Sequence, residues 1–375
     1  QLLSGDLSVG ADGTVTCIDG KNVYAFGHRF LAAGSTDLPF ARADVLALLP
    51  NLQASFKISA AREWMGSITQ DRSSAVSGVL GRRALLAPVS IAFWDGATGN
   101  GSNSASAPNY RFQMVNDPVL SPLLLQMAVF SAIDATERAV GAASYRVRGR
   151  IEFQGPTPAA RVDNIYTGDA NTAAQVSLGV AIPLAYAAQS GFDALKLKSI
   201  ALSIDALERK DEFQIDRVFT AAREVAPGGN VDLTVVLMGA NGREVSRSVR
   251  YPVPVGALPG PLYFTVADGN LTNLAEFAQR VAVPPRTASQ VVDLLNALRD
   301  NEKAYIRVWR ADTGYQVDGR DLPDPPPSAA MILSRSQTGT GSLASWRGSK
   351  LAELEISAGH ALIAGSKTVE VQVRP

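Results

Sequence analysis

Two histidines, one cysteine and a scatter of serines and aspartates set the chemistry open to this chain of 375 residues. His28 closes the stretch TVTCIDGKNVYAFGHRF, Thr14 to Phe30. Thr14–Ile18 and Val23–Phe26 are short β-prone runs, and Asp19-Gly20 between them has the chemistry of a hairpin turn. A histidine just past a hairpin strand is held by the sheet yet free of its ladder, which suits a general base. The same placement also suits a strand-end histidine bonded to backbone. His360 lies near a strand end in ELEISAGHALIAGSKTVEVQV and reads as structural.

A base of this kind needs a nucleophile and an orienting acid that meet it in space. Asp71, in MGSITQDRSSAVSGVLG, stands beside a strand end and could orient the imidazole, although an aspartate in a surface turn is the plainer reading. Ser67, Ser73, Ser74 and Ser77 are the nearby hydroxyls, none of them in a G-x-S-x-G elbow or a G-x-S-G-x-P turn. Ser77 precedes a glycine, which would let the backbone turn sharply and offer an N–H to an oxyanion; serine before glycine is also ordinary turn chemistry. The candidate set is therefore His28 with Asp71, and Ser77 or Ser67 as nucleophile. No P-loop, dinucleotide fingerprint or metal-binding helix is written in the chain, so no cofactor is expected. Cys17 is the single cysteine, so no intrachain disulfide can form, and with two distant histidines it offers no zinc set of the usual kind.

The elements that would position these groups are mostly strands. Residues 1–90 read as a compact β unit, with SFKISA, EWMGSITQD and AVSGVLG as short strands, and a closed or half-closed barrel as the nearest picture. Within it, Ala41–Leu49 has the composition of a short helix ended before Pro50. GATGNGSNSASAP, residues 96–108, has the composition of a mobile surface loop. In the α+β extension over 91–194, Pro118–Val140 carries Leu120, Leu124, Met127, Ala128, Phe130 and Ile133 on a helical period, and YRVRGRIEF alternates as a strand. Leu195–Pro261 holds alternating, turn-punctuated runs that predict an immunoglobulin-like β-sandwich over 195–265. A C-terminal α+β segment, 266–375, contributes helices over Leu271–Val281 and Thr287–Arg299, a strand at Ala304–Trp309, a short helix at Ser328–Ser334 and a closing hairpin. The fold class is thus mainly β with α+β portions.

Lys plus Arg and Asp plus Glu both number 35, so the formal charge is zero and electrostatic binding of nucleic acid is not expected. Hydrophobic residues make up 46% and charged ones 19%, the balance of a folded soluble protein. No apolar run approaches the roughly 18–20 residues that span a bilayer. The start at Gln1, inside a β-rich stretch, reads as a processed or truncated amino end.

GTVTCIDGKNVYAFGHRF resembles the G-T-(V/L)-T…(A/G)-x-G-H segment of the SpoIVB-type serine peptidases, the family of a bacterial sporulation signalling protease. SFKISAAREWMGSITQDRSSAVSGVLG resembles that family's following G-x-I…D/N…G-I-x-G stretch, so the likeness covers roughly residues 5–81. The remainder resembles the tail of a large bacterial subgroup that carries this domain. The resemblance implies a small trypsin-like β-barrel unit, His28 as catalytic base, a protein or peptide substrate, and a location outside the cytoplasm, periplasmic, cell-surface or secreted. The family's G-x-S-G-S-P type nucleophile motif is missing here. Either the serine lies upstream of Gln1, or the chain is a catalytically inactive scaffold that keeps the peptidase fold to bind assembly partners.

Overall fold

A computed structural model describes residues 1–53, 55–95, 108–136, 141–207, 212–240, 242–280, 285–317, 320–322, 325–336 and 343–374. The loop-like stretch 96–108 lies, but for Pro108, outside the described residues.

A short β1 (Leu3–Gly5) precedes the half-barrel, which is built from β2 (Val15–Asp19), β3 (Asn22–Ala25), β4 (Gly34–Leu49), β5 (Phe56–Asp71) and β6 (Val76–Leu80). These five strands pair antiparallel in the order β2-β3-β6-β5-β4. The expected hairpin forms: Asp19 pairs with Asn22, and Gly20 takes the positive φ of 59° that this tight turn requires. The helix expected over Ala41–Leu49 does not form. Those residues are the distal half of β4, paired with β5 from Ala41↔Trp64 to Leu49↔Phe56. Helix propensity separates residues by only a few tenths of a kcal/mol, so a partner strand as β-prone as FKISA overrides it. Register shifts at Ser35/Leu38, Phe40/Ala41, Ala41/Ala43 and Val45/Ala47 curl β4 inward, as bulges do. β6 covers β5 only over Gly66–Asp71, so beyond Trp64 the β4–β5 ribbon stands as two strands alone.

The second unit is β7 (Leu86–Asp95), β8 (Asn109–Val115), α1 (Leu120–Thr136), β9 (Ala143–Phe153), β10 (Ala160–Gly168), α2 (Thr172–Gln189) and β11 (Leu197–Leu207). Its sheet runs β1-β8-β7-β11-β9-β10, with β11 parallel to β7. Tyr145, Val147 and Ile151 point into the core beneath the helices, as their alternation implies. Asp117 opens α1, its Oδ1 accepting from Val119 and Leu120. Leu124, Ala128 and Ile133 are buried on the helical period, whereas Met127 and Phe130 face outward.

The third unit holds β12 (Glu212–Thr220), β13 (Glu224–Val225), β14 (Asn230–Gly239), β15 (Glu244–Pro252), β16 (Gly260–Asp268), α3 (Gly269–Arg280), α4 (Ala288–Asn296), β17 (Lys303–Val317), β18 (Arg320–Leu322), α5 (Pro327–Arg335), β19 (Leu343–Ser357), β20 (Leu362–Ala364) and β21 (Ser366–Val373). Thr287 caps α4 by accepting from Gln290 N–H, as its position predicts. One sheet runs β15-β14-β12-β20, the other β13-β21-β16-β17-β18 with β19 paired to β17. They enclose a common core that includes Ile215, Leu233, Leu237, Phe264, Val266, Ile306 and Val371.

Three expectations change here. The sandwich does not begin at Leu195: β11 belongs to the preceding sheet, where its Ile200, Leu202 and Ile204 side chains are already buried. Nor does it end near 265, because β16 needs β17 and β21 on its flanks. The closing segment is likewise not a hairpin, since β19 pairs with β17 while β21 pairs with β16.

Charge fastens the parts together. Arg299, following α4, binds Glu276 of α3 and Glu353 of β19 through both guanidinium faces, at 2.6 to 2.9 Å. Lys350 completes the set against the same two carboxylates. Asn301 donates from its N–H to Asn164 Oδ1 and from its side chain to Ile165 O, and Arg146 meets Glu302, so the sandwich is keyed to β9 and β10. His360 bonds Glu302 through Nδ1 at 2.7 Å, a structural placement.

Candidate functional site: the His28 loop and the half-barrel cleft

His28 lies just beyond β3, on the loop that leads into β4, with its ring exposed. Its Nδ1 is 2.6 Å from Arg29 O. A carbonyl only accepts, so this contact puts the neutral ring's proton on Nδ1 and leaves Nε2 as the acceptor facing solvent.

The loop around it is held in an unusual shape. Phe26 has φ 74° and Ala32 has φ 58°, left-handed conformations that cost a side-chain-bearing residue about 1–2 kcal/mol each. Asp71 supplies the restraint. Its carboxylate, at the end of β5 and buried, accepts from Phe30 N–H at 2.8 Å, Leu31 N–H at 2.6 Å and Ala33 N–H at 3.1 Å. Burial by itself would raise the Asp71 pKa, but the amides of Phe30, Leu31, Ala33 and Ala32 outweigh it and hold the group below the ordinary carboxylate range. Asp71 therefore shapes the loop that presents His28 and makes no hydrogen bond to the imidazole itself.

Neither serine is delivered to the base. Ser67 is fully buried, its Oγ donating to Asp37 Oδ1 at 2.6 Å, while Asp37 Oδ2 accepts from Leu85 N–H. This pair ties β5 to the crossing into β7. Ser77 sits in the middle of β6, opposite Tyr24 and Gln70. The glycine after it makes no sharp turn: Gly78 is mid-strand, and an added Cβ would stand 2.7 Å from Ser67 O and 3.0 Å from the Phe40 ring. It is glycine because the Ser67 carbonyl, with the Phe40 ring beside it, leaves no room for a Cβ. Asp71 holds the loop that follows His28 through the amides of Phe30, Leu31 and Ala33 rather than orienting the imidazole, and Asp37, Phe26, Ala32 and Phe40 were missed by the sequence reading. The mid-strand glycines 66 and 78 were the available signal, since glycine inside a strand marks a close approach.

Phe40 belongs to the floor of a cleft of about 320 Å³ on the concave side of the half-barrel, shared with Val23, Phe26, Phe30, Leu38 and Ile68. The Ser59 hydroxyl lines the same space, buried and without a hydrogen-bond partner. Phe26 joins cleft to loop, its ring 5.8 Å from those of both His28 and Phe30. Above the cleft the β4–β5 ribbon extends with Val45, Leu46, Leu48, Leu49, Phe56 and Ile58 exposed. Among the described residues, no group of three or more His, Cys, Asp or Glu is gathered for a metal ion, and no helix is long and apolar enough to cross a membrane.

No family model and no curated protein matches this chain. The likeness to SpoIVB-type peptidases accordingly rests on the residues quoted for it.

Proposed function

We propose that the chain is the histidine-bearing β unit of a serine-peptidase-like protein that binds, or acts on, extended protein segments outside the cytoplasm. The observation that carries this reading is the His28 loop: two strained residues and a buried carboxylate serve no purpose in a plain β-turn. Strain of this kind persists where the surroundings over-determine it, typically at working sites. The apolar cleft beside the loop suits alternate side chains of an extended peptide, and β4, which among the described residues pairs with a strand on one side only, offers it an edge to join beyond Pro39, where Gln1 is bound. A second reading, the catalytically inactive scaffold, is favoured by Ser67 being bound to Asp37 and Ser77 being held in β6. The two readings share the binding step and differ in the chemical one.

The test uses the 375-residue chain, its His28→Ala variant and its Ala43→Trp variant, in which an indole at the exposed cleft mouth fills the space. Fluorescence polarisation with a labelled peptide alternating valine and threonine should give saturable binding that Ala43→Trp removes. A fluorophosphonate probe that labels wild type but not His28→Ala supports the peptidase reading. Binding without labelling supports the scaffold. Neither binding nor labelling by the folded protein would contradict both.

A further inference from the structure

The sheet that carries α1 and α2 on one face is bare on the other. β7 and β11 run parallel at its centre, and parallel strands are ordinarily covered on both sides. Val89, Ile91, Phe93, Ile200, Leu202 and Ile204 point into the core beneath the helices. The alternate residues, Ser90 and Ala92 on β7 with Ser199, Ala201 and Ser203 on β11, therefore face the open side. They are small, so the longer side chains of β8 and β9 stand over them as the walls of a trough. Register places Arg111, Ser90, Ala201, Arg150 and Arg161 in one row across five strands. Arg150 and Arg161 stand directly opposite each other, a like-charge pair that weakens a sheet and that an anion between them would relieve. The carboxylates of this face are already engaged: Asp6 by the Arg111 N–H, Glu152 by Lys198 and Ser199, Asp163 by Arg146, and Asp205 by Arg148. Among the described residues, no ion pair reaches Arg111, Arg150 or Arg161. Trp94, 50% exposed, ends the trough on β7.

We propose that this trough binds an acidic polysaccharide, with its carboxylates on Arg111, Arg150 and Arg161 and a sugar ring on Trp94. In a chain of zero formal charge, three unpaired guanidiniums on one row select an anion, and their planar forks match carboxylates. Other polyanions fit less well. A single nucleic-acid strand is held by successive aromatic platforms, whereas Trp94 is the one aromatic among the outward residues of β7, β8, β9 and β11. An acidic protein would need an apolar centre to its contact, where this floor is serine and alanine. A second copy would set arginine against arginine. A sugar chain needs what the trough presents: hydroxyl and amide partners in Ser90, Ser199, Ser203 and Gln113, and one flat ring with an apolar face.

Isothermal titration of the whole chain with polygalacturonate, and with its fully methyl-esterified form, tests this. The expected result is saturable binding of the acid form that Arg150→Glu and Trp94→Ala each weaken at least about tenfold. Added salt should weaken it too, while Arg250→Glu, on β15 of the sandwich, leaves it unchanged. Thermal unfolding confirms that the variants fold. Four results would overturn the proposal: no binding of polygalacturonate, binding indifferent to both trough substitutions, equal binding of the methyl ester, or tighter binding of polyglutamate or oligothymidylate.

Discussion

The half-barrel and the C-terminal sandwich are both made from alternating strands, yet they use their inward side chains differently. In the sandwich, Leu233, Val235 and Leu237 of one sheet meet Phe264, Val266 and Val308 of the other, and all are buried. In the half-barrel, the buried apolar residues Val23, Leu38 and Val76 border the same open cleft as the half-buried Phe26, Phe30, Phe40 and Ile68. A second sheet closes the one; the other curls through the bulges of β4 and stops short of closure. The same period-2 pattern thus yields a dry core where there is a facing sheet and a lined cleft where there is none. Fixed charges differ as well. The sandwich uses Arg299 with Glu276 and Glu353 to fasten helices to its sheet, whereas the half-barrel uses Asp71 on backbone amides to shape one loop.

That contrast can be broken by substitution. Arg299→Ala leaves two mostly buried carboxylates with Lys350 bonded to them and Arg307 nearby, and should lower stability by about 3 kcal/mol, read in urea unfolding. Leu237→Ala should cost about 3 kcal/mol by opening a cavity between closed sheets. Asp71→Asn keeps the size of the side chain but gives up charge-assisted bonds, so it should release the loop by about 2 kcal/mol. Its signature is local: faster amide exchange at Phe30, Leu31 and Ala33, with the sandwich unaffected. Ile68→Ala, by comparison, removes a half-buried side chain that borders the cleft while packing on the neighbouring core, and should cost about 2 kcal/mol, less than Leu237→Ala. If it costs as much as Leu237→Ala, the half-barrel is closed in solution.

The loop also has a pH dependence of fixed sign. The Asp71 pKa is depressed on folding, so its contribution is fully present above the unfolded value of about 3.9 and is lost as pH falls through the folded value. The loop should stay ordered from neutral pH through pH 5 and release only in stronger acid. Exchange of its amides across that range, with Asp71→Asn insensitive to pH, checks this.

Much of the fold was legible in the chain. The Asp19-Gly20 turn, a helix within Pro118–Val140 (formed over Leu120–Thr136), the alternation of β9 and the Thr287 cap are short-range signals, and each formed. What was hidden is long-range. β11 reads like its sandwich neighbours, and only its distant partners, β7 in parallel and β9 antiparallel, move it to another sheet. The Ala41–Leu49 segment reads as helix until β5 is set beside it. At the site, Asp71 could be picked out as a strand-end carboxylate, since it closes β5. Its role could not, since the groups it binds are backbone N–H donors that every residue carries.

The most direct test uses the chain's two histidines as internal probes. The Cε1–H resonances of His28 and His360 can be followed by proton NMR while the alternating valine–threonine peptide is added. The account predicts a saturable shift of His28, through the Phe26 and Phe30 rings, with His360 unmoved and the His28 shift abolished in Ala43→Trp. A His28 resonance that stays fixed while the peptide binds, or one that still shifts in Ala43→Trp, would contradict it.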